Sequence, residues 1–137
     1  MTAQENIDVA RRFFREQDES KGPPPEDLCA TGYTCHLAGM PPMDLASQAG
    51  LGRMFWTAFP DLTQTVEEVF ADDTHAAVRF TARGTHQGDL MGIPPSGKPF
   101  EVTGMATLRI DRGKIVEFRE VFDQMSMMQQ IGALPSH

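Results

Sequence analysis

Apolar residues recur at intervals of three and four near the start of the chain and at intervals of two from residue 63 onward. The first pattern predicts a helix. Thr2-Ala3-Gln4-Glu5 is a capping box, able to satisfy exposed backbone N–H groups. Ile7, Ala10, Phe13 and Phe14 then share a face, with Asp8, Arg11, Arg12 and Arg15 mostly outside it. Lys21-Gly22-Pro23-Pro24-Pro25 stops the helix, and a short helical turn is expected from Pro25 through Glu26 and Asp27. Tyr33 to Leu37 alternates as a brief strand, ended by Gly39-Met40-Pro41-Pro42. Asp44 can cap a second helix that places Leu45, Gln48, Gly52, Phe55, Trp56 and Phe59 on one side. Gly50 and Gly52 would each cost that helix about 1 kcal/mol against Ala. They imply close packing against another backbone or an irregular middle.

Four period-two segments follow: Thr63 to Ala71, His75 to Thr85, Phe100 to Ile110 and Ile115 to Phe122. Asp72-Asp73 and Asp111-Arg112-Gly113-Lys114 read as tight turns, and residues 88–99, rich in glycine and proline, as a loop. Met125, Met128 and Ile131 form a closing helix, with Gly132 as its cap and Pro135 preventing extension. Helices first and then consecutive antiparallel strands make an α+β plan. One face of the sheet must bury against the helices, leaving a pocket at the open end.

Composition narrows the function classes. The 137 residues suit a single domain, residues 1–137, and no linker or repeat divides them. Nineteen acidic against twelve basic residues give a net charge of −7, a poor footing for nucleic acid or an anionic membrane surface. No apolar run is long enough to span a bilayer. The start, Met1 to Glu5, lacks the features of a secretory leader, and the two cysteines, Cys29 and Cys35, fit reduced thiols. A cytoplasmic protein is the expectation.

Few residues offer chemistry. Cys29, Cys35 and His36 lack a zinc-site spacing, and nothing in sequence brings His36, His86 and Asp123 together as a metal triad, so no metal is expected. No Gly-x-Ser-x-Gly elbow is present. Gly92 to Lys98 resembles a phosphate loop, but Pro99 replaces the magnesium-binding hydroxyl, and Pro94 and Pro95 remove needed N–H donors. Asp123 ends the last strand among Phe118, Phe122 and the Met125, Met127 and Met128 group. Desolvation there would raise its pKa and make it a base near neutrality, while the same position also suits a helix N-cap. Glu117, Arg119 and Asp123 share one side of the strand, with Glu120 on the other, and Arg109 on the neighbouring strand could pair with an acid. Tyr33, Phe55 and Trp56 read as core or pocket wall; His75 and His137 are not site candidates. Nine methionines spread over several elements suit an adaptable apolar pocket and a hydrophobic ligand.

Four stretches follow one another as in a known family: Phe59-Pro60-Asp61-Leu62, Gly84-Thr85-His86-Gln87-Gly88, Gly92 to Lys98, and Gly113-Lys114-Ile115-Val116-Glu117 through Asp123 to Gln130-Ile131-Gly132. Together they resemble the SnoaL-like polyketide cyclases, or ester cyclases, of the nuclear-transport-factor-two-like (NTF2-like) superfamily. The resemblance implies a cone: a curved antiparallel sheet of four strands plus a short one, wrapped over N-terminal helices around an apolar cavity, in a chain that is commonly a homodimer. It implies an intramolecular aldol ring closure without cofactor, with Asp123 as acid/base and His36 as second catalytic residue. Tyr33, Trp56, His86, Arg109 and Arg119 are the expected substrate-binding residues, with His36, His86 or Arg109 polarising the oxygen where charge develops. The chain departs from the family at Arg119, where Trp is common, and at Thr107-Leu108-Arg109, where the cyclases carry a histidine. The fold also hosts isomerases, hydrolases and binders. The alternative expectation is a non-catalytic binder of an apolar metabolite, or a dimeric accessory protein.

Overall fold

The computed structural model describes residues 2–134, so the helix stop expected at Pro135 and the terminal His137 lie outside the described residues. Helix α1 spans Ala3–Ser20, and its N-cap Thr2 accepts a hydrogen bond from the Glu5 amide at 3.1 Å. Lys21 closes it in the left-handed conformation, and Gly22 follows with φ of 138°. A 3-10 turn, Glu26–Leu28, leads into strand β1, Cys29–Leu37. Helix α2 runs Leu45–Ala58 behind its N-cap Asp44. Strands β2, Thr63–Ala71, β3, His75–Thr85, β4, Pro99–Asp111, and β5, Lys114–Phe122, precede the short helix α3, Gln124–Gln130.

The five strands form one curved sheet in the order β1-β5-β4-β3-β2. The last four pair antiparallel in sequence order. The expected brief strand is nine residues long and joins β5 in parallel, so the sheet is mixed rather than wholly antiparallel. A parallel partner needs a long crossover. Here everything from α2 to β4 supplies it, a connection that local periodicity does not encode. The β4–β5 hairpin turns through Arg112 and Gly113 at φ of 52° and 79°, the paired positive angles of a type I′ turn.

The inner face of the sheet packs on α1 through aromatic rings. Phe13 lies 5.0 Å from Phe118 between centroids, and Phe14 lies 5.2 Å from Phe80. Phe80 needs Gly104 opposite it, since a β-carbon there would fall 2.2 Å from the ring. Asn6 is fully buried on α1 and donates to the Asp72 carbonyl at 2.9 Å, tying the helix to the β2–β3 turn.

The two α2 glycines have different reasons. Gly52 backs onto the chain just after α1, where a β-carbon would come within 2.4 Å of the Gly22 carbonyl oxygen. Gly50 has open space around it, with only the Arg53 guanidinium at 4.0 Å. Opposite outcomes are therefore expected in denaturant unfolding. Gly50→Ala should raise stability by roughly 0.5–1 kcal/mol through helix propensity. Gly52→Ala should lower it by about 1–3 kcal/mol because the helices must move apart. Equal effects would dissolve the distinction.

Candidate functional site

A cavity is lined by α2 and the inner sheet face, together with Gln17 of α1 and Met127 of α3. Its free volume is about 80 Å³, room for roughly two or three waters at about 30 Å³ each. Six aromatic residues, Phe55, Trp56, Phe80, Phe100, Phe118 and Phe122, stand in its wall. Four polar side chains interrupt that wall: Gln17, Gln48, Gln64 and Glu120.

Glu120 is the acid of the cavity. It pairs in register with Leu37 on β1 and Ala106 on β4, and it alternates with Phe118 and Phe122 on the inner face. Its carboxyl has no hydrogen-bond or ion-pair partner among the described residues. Burial alone pushes its pKa up to about 7, because the charged form loses water and gains nothing in exchange. Sequence reasoning set Glu120 aside as the residue facing away from Asp123. The available signal was the triplet Phe118-x-Glu120-x-Phe122, one acid in period with two buried aromatics.

Asp123 lies elsewhere. It is exposed, caps α3 by accepting from the Ser126 amide at 3.0 Å, and takes no part in lining the cavity. Of its two sequence readings, the structure displays the cap. His36, Arg119 and Arg109, expected to bind or polarise substrate, sit on the outer face of the sheet, which corrects their placement in the cavity. The reason is register: His36 pairs with Arg119 and Arg109 with Glu117, each one residue out of phase with the inner positions. Arg119 Nε donates to Glu117 Oε1 at 2.8 Å, and His36 Nε2 lies 3.9 Å from Glu117 Oε2. The Arg119 hydrogen bond is the main reason the Glu117 pKa is lowered, aided by charge from His36 and Arg109.

His86 is also off the cavity. It is fully buried against Phe59, 5.5 Å between rings, and its Nδ1 accepts from the Ser96 amide at 3.2 Å. Its backbone anchors the 88–98 loop through Lys98 and Gly97, and its Nε2 is buried without a partner among the described residues. Trp56 does line the cavity, with its Nε1 donating to the Leu62 carbonyl at 3.1 Å. Tyr33 is buried behind the lining and reaches it through Gln48, whose Oε1 accepts from the Tyr33 hydroxyl at 2.6 Å. Among the described residues no group of three His, Cys, Asp or Glu side chains is placed to hold a metal ion. Cys29 and Cys35 have their thiols pushed up to about 12 by burial. No helix among the described residues is long and apolar enough to cross a membrane.

The raised Glu120 pKa has a sign that stability measurements can read. The folded state holds the Glu120 proton more tightly than the unfolded state, so this group favours folding below its unfolded value near 4.5. Its contribution is lost as pH rises from there through about 7. Asp18, raised to about 6 by burial, adds the same trend at lower pH. Glu120→Gln should therefore stabilise the protein above pH 7, by on the order of 2 kcal/mol, and the gain should vanish below about pH 4.5. Urea titrations at several pH values would measure it; a gain independent of pH would contradict a buried ionisable Glu120.

Comparison with known proteins agrees with this architecture. The SnoaL-like polyketide cyclase family matches residues 8–131. No curated protein sequence matches the chain. Among solved structures, IdmH, a candidate polyketide cyclase from Streptomyces antibioticus, is 31% identical, with 93% of this chain and 98% of that one covered at a TM-score of 0.76. AclR, a candidate hydroxylase from Streptomyces galilaeus, superposes at a TM-score of 0.86 over 99% of this chain and 86% of its own, at 22% identity. A candidate SnoaL-like polyketide cyclase from Jannaschia sp. CCS1 gives 0.83, with 97% and 95% covered at 21% identity. The latter two likenesses concern the fold. With the family spanning nearly the whole chain, the protein belongs to the SnoaL-like polyketide cyclases.

Proposed function

We propose that the protein is an enzyme that closes a ring in a small polyketide-like carbonyl compound by acid/base catalysis, with Glu120 as the base. One observation carries this reading: a single unpaired carboxyl, its pKa raised to about 7, borders an otherwise mostly apolar cavity. A base poised near the working pH combines a useful ionised fraction with strong proton affinity. Glu120 takes a proton from a carbon between two carbonyls. The enolate carbon attacks an internal carbonyl carbon, forming a C–C bond as the carbonyl π electrons move to oxygen. The protonated Glu120 returns its proton to that alkoxide. Trp56, Phe118 and Phe122 hold the apolar body of the substrate, and the small cavity accommodates its reacting end.

The base assignment can be tested without the natural substrate. 1,2-Benzisoxazole opens when a base removes its C3 proton and the N–O bond breaks, releasing 2-cyanophenolate. The native protein should accelerate this opening with a rate that rises through about pH 7 and then levels. Glu120→Gln should lower the rate by about 10²–10⁴. Asp123→Asn should leave it unchanged, since Asn caps a helix as well as Asp does. Loss in Asp123→Asn alone would return the base to the cap position.

We also infer a homodimer formed through the outer sheet face. Met105 and Val121 pair in register there and are 56% and 54% exposed, with Met40 beside them in the same groove. Such a patch favours burial against a second copy. In sedimentation velocity the native chain should run as a dimer and Val121→Lys as a folded monomer; a native monomer would overturn the inference.

A further inference from the structure

Tyr33 and Gln48 are 4% and 5% exposed, and the Tyr33 hydroxyl donates to Gln48 Oε1 at 2.6 Å. Burial pushes the Tyr33 pKa far above its ordinary value, so the hydroxyl keeps its proton and remains a donor. Gln48 must then turn its oxygen toward Tyr33, which fixes the amide in one orientation. Its Nε2 group has no protein partner among the described residues, and Gln48 borders the same cavity as Glu120. Gln64 lies on that wall too, with its Oε1 buried and without a partner. Unpaired amide atoms beside an apolar cavity cost free energy unless something fills their hydrogen-bonding capacity. In the free protein they are unfilled by protein groups.

We propose that Gln48 is the oxygen-binding donor of the cavity and that Tyr33 is the positioning residue that aims it. The subsite takes a carbonyl, enol or phenol oxygen. The proposal rests on the cavity being the ligand site, and it supplies the partner that the base at Glu120 needs. As a proton leaves carbon, negative charge gathers on oxygen, and a fixed N–H donor stabilises that charge more than it stabilises the ground state. This role was expected of His36, His86 or Arg109, none of which faces the cavity.

The test pairs two probes of nearly equal shape, 4-chlorophenol and 4-chlorotoluene, with binding read from the fluorescence of Trp56, the sole tryptophan. The native protein should prefer the phenol by about tenfold. Gln48→Leu should abolish that preference while the toluene binds within about twofold of native. Gln48→Met, close to glutamine in shape, lacks the N–H group too, so it should lose the preference as well, and it serves if the leucine variant does not fold. Tyr33→Phe should reduce the preference by about threefold to tenfold. It should also lower kcat for benzisoxazole opening with KM little changed, a split that loss of packing alone would not give. Equal binding of both probes by the native protein would overturn the Gln48 assignment and leave the Glu120 reading, tested by its own pH profile, intact. Binding of neither probe would overturn both.

Discussion

The packing of two adjacent phenylalanines of α1 onto the inner face of the sheet sets the remaining geometry. Phe13 against Phe118 and Phe14 against Phe80 tie the helix, which lies mainly over β2 and β3, to the middle of the sheet. Each such ring contributes about 1.5–3 kcal/mol on burial, so the helix position is not negotiable against weaker contacts. Gly104 yields its side chain to let Phe80 lie in place. The Gly22–Gly52 contact then fixes α2 against the end of α1. With α1 lying mainly over β2 and β3, the helices do not cover the whole face. The uncovered part is the cavity.

That arrangement divides β5 into two electrostatic environments. Glu117 and Glu120 lie three residues apart on opposite faces, and their pKa values move in opposite directions. Outside, Glu117 has Arg119, Arg109 and His36 around it, and its charged form is favoured. Inside, Glu120 has rings and aliphatic carbon, and its charged form is penalised. Chemical capacity follows the second environment, because an ion pair at the surface is screened and already satisfied. The net charge of the chain says nothing about this difference, which burial and neighbouring charges produce residue by residue.

Helix starts and stops were legible in the sequence because they depend on near neighbours. Thr2, Asp44 and the Gly22 to Pro25 run act within a turn of where they stand. The four antiparallel strands were legible for the same reason: alternation and tight turns are local. β1 was under-read because its first residues, Cys29 to Gly32, do not alternate apolar with polar, and its partner β5 lies far along the chain. In the site, Trp56, read as core or pocket wall, lines the cavity. The charged and histidine candidates went the other way. Motif position marked His36, Arg109 and Arg119, but a strand's period of two states which residues share a face without stating which face is inner.

The sequence by itself therefore determined the family, the α+β order of elements, and the alternation that places Glu120 with Phe118 and Phe122. These follow from contacts within a few residues and from motifs that survive without the fold. Only the tertiary structure decided that this face looks into a cavity, that Asp123 caps a helix, and that Tyr33 reaches the cavity through Gln48. Burial, desolvation and hydrogen bonding depend on elements distant along the chain, and a carboxyl acquires its proton affinity from whatever those elements bring around it.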